Sequence, residues 1–351
     1  MKNIRQLLAD RKHSAASYAI VIIGFLVIQS MVVTGNISSS LKGQLVPICA
    51  YIVMAVSLNL TVGILGELSL GHAGFMSVGA FTGIVVSTSL AGAIPNGPLR
   101  LAVSMAVAGL FAGVAGLIVG IPVLRLKGDY LAIVTLAFGE IIKNIINVLY
   151  IGFDKNGLHL SILSQKFTLE EGGSIIINGP MGVSGVQKLS SFTAGFILIL
   201  ITLFIVLNLI NSRTGRAVMA VRDNKIAAES IGLSVTRCKL LTFVISAVFA
   251  GMAGTLYAMN YSTVTAAKFD FNTSILILVF VVLGGLGNIW GSIIAAALLT
   301  VLPELLRSMN DYRMLIYAIL LIVMMIFNNS GLKKRLIESR RARKAAPKEA
   351  N

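Results

Sequence analysis

Three ionisable side chains, His72, Glu140 and Lys143, lie inside apolar stretches of this sequence and are the first candidates for chemistry. Glu140 and Lys143 share one helix face with Asn144 and Asn147, because the spacings from Glu140 are three, four and seven residues. At about 1.5 Å per residue, Glu140 lies roughly 15 Å along its predicted helix, near the middle of an apolar layer about 30 Å thick. This face can line a polar passage, or its charges can form a neutralised pair that locks helix packing.

The sequence lacks the common catalytic patterns. It contains no GxxxxGK[ST] loop for nucleotide phosphates and no HExxH, CxxC or GxSxG motif. The ionisable residues within apolar stretches do not supply a nucleophile next to a base, so we expect no catalytic residues, no cofactor and no metal site. The two cysteines, Cys49 and Cys238, are too few and too differently placed for a disulfide framework or a structural zinc site.

A stretch rich in glycine and hydroxyl groups, residues 63–89, departs from ordinary lipid-facing sequence. It places six glycines among Ser69, His72, Ser77 and Thr82. Such a helix or broken helix is expected inside a bundle, beside a solute path that Ser69 and His72 could line. The alternatives are that the glycines serve close helix packing and that His72 is a buried imidazole bonded to a neighbouring carbonyl or hydroxyl.

The composition indicates what kind of fold must position these residues. Of 351 residues, 56% are hydrophobic and 12% charged, and the mean hydropathy is +0.88, whereas soluble domains carry about a quarter charged residues. The formal net charge of +15 clusters outside the apolar runs, which fits loops at the inner leaflet better than a nucleic-acid partner. We therefore predict an all-α, polytopic helix bundle in the lipid bilayer.

Apolar runs and basic loops predict about ten membrane segments within residues 1–330, followed by a basic cytoplasmic tail, 331–351. Residues 151–190 form the predicted outer loop, and residues 273–306 are either one long span or two short helices broken at the glycine-rich 284–291. One crossing would leave the basic tail outside, so the positive-inside rule favours two. That topology places both termini in the cytoplasm, with 20 of the 29 Lys and Arg residues inside, eight outside and Lys143 in the membrane.

The central polar segment, residues 212–239, lies between two apolar runs and carries six basic residues against two acidic ones, which predicts a cytoplasmic position. Asp223 or Asn224 can cap a helix of about two turns, Lys225 to Ile231, that ends at Gly232 in the left-handed conformation. The segment is either a solvated loop or a docking surface for an external motor, such as a groove on a soluble ATPase. The competing energy source is an ion gradient, as in a secondary carrier.

Four sequence blocks resemble the permeases of ABC importers for branched-chain amino acids, of the LivM type. The central block, GRAVMAVRDNKIAAESIGLSVTRCKLLTFVISAVFAGMAG, covers residues 215–254 and is similar to the coupling region of that family. The other three are LSLGHAGFMSVGA (68–80), RLKGDYLAIVTLAFGEII (125–142) and VVLGGLGNIWGSIIAAAL (281–298). They occur in the family's order, so the resemblance covers most of the chain.

The resemblance implies a type II ABC importer permease fold in a prokaryotic inner membrane. It implies a coupling helix that contacts an ATPase, here Ala227, Ala228, Glu229 and Gly232 with Arg222 and Asp223 before them. It further implies two cytoplasmic ATPase subunits, a sister permease and an extracytoplasmic binding protein that delivers leucine, isoleucine or valine. The outer loop reads NGPMGVSGV where related sequences tend toward GGxNGLxGI, so urea, a short amide or another amino acid is the alternative solute.

Overall fold

A computed structural model describes residues 18, 21–32, 34–35, 38–126, 128–154, 157–163 and 173–306, with single positions between 312 and 326. The chain divides into two compact units, residues 1–297 and 298–351. The second unit contains the C-terminal part of the last described helix. The predicted final span, residues 312–327, falls largely outside the described residues, and the predicted basic tail, 331–351, falls wholly outside them.

Long apolar helices dominate the described part of the chain, as the hydropathy pattern predicts. Four are long and apolar enough to cross a membrane, and their ranges are 39–65, 97–123, 192–211 and 235–258. The helices in chain order are α1 (Val21–Val32), α2 (Ser39–Asn59), α3 (His72–Ser89), α4 (Gly97–Val123), α5 (Asp129–Asn147), α6 (Phe192–Asn211), α7 (Arg213–Asp223), α8 (Lys225–Ser230), α9 (Val235–Ala258), α10 (Phe271–Gly284) and α11 (Ile289–Leu305).

The second predicted span does not run directly into the third. Helix α2 continues as a π-helical stretch, Leu60–Leu65, and ends at Gly66, whose φ of +80° favours glycine. Residues 66–71 are not helical, and α3 begins at His72. The glycine-rich stretch is therefore a broken helix, one of the two forms that the sequence allowed. We call residues 60–71 the break.

Residues 273–306 form two helices, as the charge argument predicts. Helix α10 ends at Gly284, and a turn of four residues leads into α11 at Ile289. Gly285 and Gly287 adopt φ values of +96° and +78°, which explains the glycines at this turn. A Cβ on Gly284 would overlap the backbone of Ser292, so the two helices approach closely just beyond the turn.

Helix α9 packs against α2, α3 and α4, and small residues allow close contact between the backbones. A Cβ on Gly79 of α3 would overlap Gly251 of α9. The glycines of α4 at positions 109, 113, 116 and 120 all face α9 side chains, including Val248 and Ala247. This glycine stripe of α4 therefore serves helix packing.

Part of the predicted outer loop forms a small antiparallel sheet that the sequence did not predict. Its strands are β1 (Leu149–Asp154), β2 (Gly157–Ile162) and β3 (Ser174–Asn178), in the order β2-β1-β3. A second pair joins β4 (Val183–Ser184) to β5 (Thr263–Val264). The all-α description holds for the helical bundle, and the sheet is an addition to it between α5 and α6.

Candidate coupling and translocation site

The central polar segment folds into two short helices ahead of α9. Ser212 caps α7 by accepting a hydrogen bond from the N–H of Gly215 at 3.1 Å, and Asn224 caps α8 through the N–H of Ala227 at 3.0 Å. Gly232, at φ +83°, ends α8 in the left-handed conformation that the sequence predicted. The prediction of α8 is confirmed to within one residue, whereas α7 was missed and read as loop.

One face of α8 is exposed and partly apolar. Ile226 is 79% exposed and Ile231 is 74% exposed, and Ala227 and Glu229 lie on the same open side. We call Ile226, Ala227, Glu229 and Ile231 the α8 surface. Two exposed isoleucines on one short segment form a small apolar patch, a kind of surface that proteins use to bind partners. The sequence argument overlooked both isoleucines, although their spacing on a two-turn helix was visible.

Ala228 does not belong to this exposed surface. It is 2% exposed and packs with Val221 of α7 and Val235 of α9. Its predicted place in the coupling helix stays a prediction, and within this structure its methyl group fixes α8 onto α7 and α9. The packing arises because α8 is only six residues long and must bury one side against its neighbours.

Arg222, at the end of α7, points to the break and not to the α8 surface. Its Nη1 donates to the carbonyl oxygen of Gly63 at 3.2 Å, and its Nε and Nη2 donate to Asp223 Oδ1 at 3.0 and 2.9 Å. Its stem lies over Gly66, where an added Cβ would be 2.7 Å from Arg222 Cγ. The predicted coupling residues Arg222 and Asp223 thus form one ion pair that contacts the end of the second span.

A second ion pair joins the same two parts of the chain. Lys239, in the first turns of α9, pairs with Glu67 in the break, and the side chains are 7% and 16% exposed. The sequence analysis missed Glu67, which follows an apolar run closely and was not counted among the buried ionisable residues. The signal was present, since Glu67 is the one acid in the 63–89 stretch.

His72 is enclosed at the start of α3. It is 3% exposed, and its Nε2 lies 2.9 Å from Ser57 Oγ of α2. The Ser57 hydroxyl already donates to the carbonyl of Met54 at 3.0 Å, so the imidazole donates through Nε2. This geometry corresponds to the buried, hydroxyl-bonded imidazole that the sequence allowed as an alternative. Whether His72 also contacts solute stays a prediction.

Ser69 is 1% exposed, and its hydroxyl has no hydrogen-bond partner among the residues that the structure describes. Around it the break and the start of α3 are each held by a neighbouring helix. The N–H of Leu70 donates to Thr135 Oγ1 of α5 at 3.0 Å, and the N–H of Ala73 donates to Ser274 Oγ of α10 at 3.1 Å. Glycines at positions 71, 74 and 139 let α5 approach the break at backbone distance. The residues of the LSLGHAGF motif therefore pack closely against both α5 and α10.

Glu140 and Lys143 form the intrahelical ion pair that their spacing predicts, with side chains 33% and 18% exposed. Glu140 also lines a narrow crevice between α5, the break and the start of α10, together with Leu70, Gly74, Asp270 and Ser274. The crevice places Glu140 beside the first residues of α10. Of the two amides on the predicted face, Asn144 is exposed and Asn147 is half-buried.

Asp270, the N-cap of α10, belongs to the same group of charges. Burial raises the pKa of its carboxyl, but hydrogen bonds from Thr273 and Asn272 and the charge of Lys143 outweigh burial, and the net pKa lies below its usual value. The structure thus brings Glu140, Lys143 and Asp270 together at one end of α5. Among the described residues, no group of three His, Cys, Asp or Glu side chains could hold a metal ion.

Comparison with known proteins agrees with this arrangement. The chain is 39% identical over 292 residues to the high-affinity branched-chain amino acid transport system permease protein LivM of Salmonella typhimurium, which covers 80% of this chain and 67% of the relative. It is 38% identical over the same length to LivM of Escherichia coli, with the same coverage. A probable LivM of Methanocaldococcus jannaschii is 22% identical over 333 residues, 80% of this chain and 90% of that protein.

No solved structure shows a significant match. The family described as "Branched-chain amino acid transport system / permease component" matches residues 40–327, which include the break, the Glu140 face, the central polar segment and the turn between α10 and α11. The chain is a multi-pass membrane protein and belongs to this family of permeases.

Proposed function

We propose that this chain is the membrane-spanning subunit of an ATP-driven importer for branched-chain amino acids. The α8 surface is the observation that carries the proposal: a capped, preformed helix presents Ile226 and Ile231 almost fully exposed beside Glu229. A soluble partner with an apolar groove and a basic rim matches that surface. Relatives named as branched-chain amino acid permeases supply the solute class.

The proposed assembly contains two cytoplasmic ABC ATPase subunits, a sister permease and an extracytoplasmic binding protein. Similarity to the permease LivH of Salmonella typhimurium, 30% over 126 residues, supports a related second permease. The chain carries no nucleotide-phosphate loop in its sequence, so the ATPase activity is assigned to the partners. Both termini, the tail 331–351 and the central segment 212–239 are placed in the cytoplasm of a prokaryotic cell, with residues 151–190 outside.

The proposed translocation path runs along the Glu140 face. Glu140 lines the crevice and pairs with Lys143, Asn144 and Asn147 continue the same helix face, and the buried Ser69 precedes Leu70 of the crevice in the chain. These groups can replace part of the hydration of a zwitterion in passage without holding it tightly. We assign His72 to packing next to this path, because its imidazole is enclosed and bonded to Ser57.

The test is co-purification followed by uptake. An ATPase subunit encoded with this chain should be retained on the immobilised, detergent-solubilised permease. Ile226→Asp should abolish that retention by placing a charge in the apolar groove, and Glu229→Arg should abolish it by placing a positive charge against the basic rim. Ser230→Ala, a matched control at the end of α8, should keep it. Full retention by both α8 variants, with normal uptake, would contradict the coupling assignment.

Solute and energy source are tested separately. Proteoliposomes holding the complete assembly should take up leucine, isoleucine or valine with ATP and the binding protein, and competition by urea or a short amide would favour the alternative solute. Uptake by this chain alone, driven by an imposed ion gradient and indifferent to ATP, would identify a secondary carrier instead.

A further inference from the structure

We propose that Arg222 and the Lys239–Glu67 pair connect the ATPase-binding segment to the break in the second span, so that movement of α8 is transmitted to residues 60–71. This inference rests on the proposed function, since it needs a motor at α8. It assigns these three side chains a positioning role: none of them forms the α8 surface or lines the crevice beside Glu140.

The first support is that Arg222 caps the C-terminal end of the span 39–65. The span 39–65 ends within the protein, so its last carbonyl groups lack partners in the same helix. The guanidinium donates to one of them, the carbonyl of Gly63, and brings a positive charge to the negative end of the helix dipole. The C-terminal cap of this span therefore comes from α7, which precedes α8 by one residue.

The second support is that Lys239 holds the break from the other end of the same segment. Its ammonium pairs with Glu67, and because Lys239 is buried and Glu67 is half-buried, separating them would leave two poorly solvated charges without each other. Arg222 and Lys239 flank α8 on either side in the chain, at the end of α7 and in the first turns of α9. A displacement of α8 that carries α7 or the start of α9 with it must pull on the break at one point or both.

The third support is that α7, α8 and α9 are packed as one body at this point. Val221, Ala228 and Val235, one from each helix, form a buried cluster, and Leu233 and Cys238 pack against it. Arg222 follows Val221 directly in the chain. A force on Ile226 or Ile231 is therefore passed through this cluster to the Arg222 contact without a flexible joint between them.

The break can in turn move groups of the proposed path. Leu70 lies within it, bonds to Thr135 of α5 and lines the crevice next to Glu140. Gly63, the residue that Arg222 caps, lies against the turn between α10 and α11. The contacts form a continuous series from the α8 surface to the Glu140 crevice, all of them within the first compact unit.

The first experiment uses the full chain alone in detergent and measures hydrogen–deuterium exchange over residues 60–71. Arg222→Gln removes the cap, and the neutral double variant Glu67→Gln/Lys239→Met removes the pair without leaving an unpaired charge. Each should speed exchange in the break by about two- to fivefold. The matched control is Arg216→Gln, which removes the same charge from α7, where Arg216 donates to Asn211 at the end of α6. Exchange unchanged in both test variants, or equally raised in the control, would overturn the proposal.

The second experiment uses the assembled importer. Arg222→Gln and the neutral double variant should retain the ATPase in a pull-down while the ratio of solute taken up to ATP hydrolysed falls by about threefold or more. A normal ratio in both would overturn the link, as would loss of ATPase retention, which would make Arg222 a docking residue. If the wild-type chain retains no ATPase, the proposed function fails, and the exchange result still reports whether the contacts hold the break.

Discussion

Asn59 and Gly287, 228 residues apart in sequence, are joined by a hydrogen bond of 2.9 Å from the backbone N–H of Gly287 to Asn59 Oδ1. The amide nitrogen of Asn59 donates in turn to Ser292 Oγ at 3.0 Å. One buried side chain therefore ties the end of α2 to the turn between α10 and α11. The end of α2 and the turn between α10 and α11 therefore meet at this amide, and hydrogen bonds hold both segments in place.

The contact depends on the missing side chain at Gly63. A Cβ there would overlap both Asn59 Oδ1 and the backbone nitrogen of Gly287. We expect Gly63→Ala to lower the thermal midpoint, because overpacking should reduce the free energy of unfolding by about 1–3 kcal/mol. The backbone nitrogen of Gly287 cannot move aside as the end of a flexible side chain could. Gly43→Ala is the matched control in the same helix, where an added Cβ meets nothing within 4 Å. It should be neutral or slightly stabilising through helix propensity. Equal midpoints for the two variants would contradict the close packing.

The amide of Asn59 should matter more than its volume. Asn59→Leu keeps the size but leaves the half-buried N–H of Gly287 without its acceptor, which costs up to about 1–3 kcal/mol. Ser292→Ala leaves the Gly287 contact intact but takes the acceptor from the amide nitrogen of fully buried Asn59, so its loss of stability should be of comparable size. Thermal unfolding in detergent measures both. A Leu variant as stable as the wild type would show that the hydrogen bonds contribute nothing here.

The sequence predicted those parts of the site that depend on local chemistry. Gly232 ends α8 because few other residues tolerate a φ of +83°, and the glycines at 285 and 287 mark the α10–α11 turn for the same reason. The charge of the loops then decided between one span and two. Glu140 and Lys143 meet because their spacing alone places them on adjacent turns.

Contacts between distant segments could not be predicted in this way. Glu67 and Lys239 are 172 residues apart, and each looks like an ordinary residue at the end of an apolar run. The inward orientation of Ala228 follows from where α7 and α9 lie, and a two-turn helix shows no periodicity long enough to reveal it. The outer strands were missed because they are five or six residues long and lie in a polar segment with many turns.

Replacing His72 should separate packing from transport. The Ser57 hydroxyl keeps its bond to Met54 when the imidazole is gone, so His72→Leu should cost only about 1 kcal/mol in thermal stability. His72→Gln retains a donor for Ser57 Oγ, and we expect its uptake to stay within about twofold of the wild type because the residue is enclosed. A stably folded Gln variant with about a tenfold loss of uptake would place the imidazole in the path.

Asp270 should make stability depend on pH in one direction. Because its folded-state pKa lies below the ordinary value of about 3.9, its charged form stabilises the fold above that pH. This contribution is lost as the pH falls through the folded-state pKa. Asp270→Asn keeps a good N-cap for α10 but has no charge to lose. The thermal midpoint of the wild type should therefore exceed that of the variant at pH 6, and the difference should shrink at about pH 3 to 4. A constant difference across this range would refute the assignment.

Arg100, four residues beyond the N-cap of α4, should destabilise the fold. It is 5% exposed, its Nη2 donates to the neutral amide of Gln187, and its Nε has no partner among the described residues. A buried cation at the positive end of a helix dipole costs more than an apolar side chain of similar length when no acid neutralises it, and the described part of the chain supplies none here. We expect Arg100→Met to increase the free energy of unfolding by about 1 kcal/mol or more and so to raise the thermal midpoint.

The partner of Arg100 provides the control. Gln187→Leu should destabilise the wild type, because the guanidinium loses the acceptor that it has, and should be nearly neutral when Arg100 is already Met. The double-variant cycle therefore measures the interaction free energy between the Gln187 amide and the Arg100 guanidinium. A loss of stability in Arg100→Met would show instead that the guanidinium is neutralised in the folded protein. In that case the residue at position 100 would be selected for that contact, and not merely tolerated.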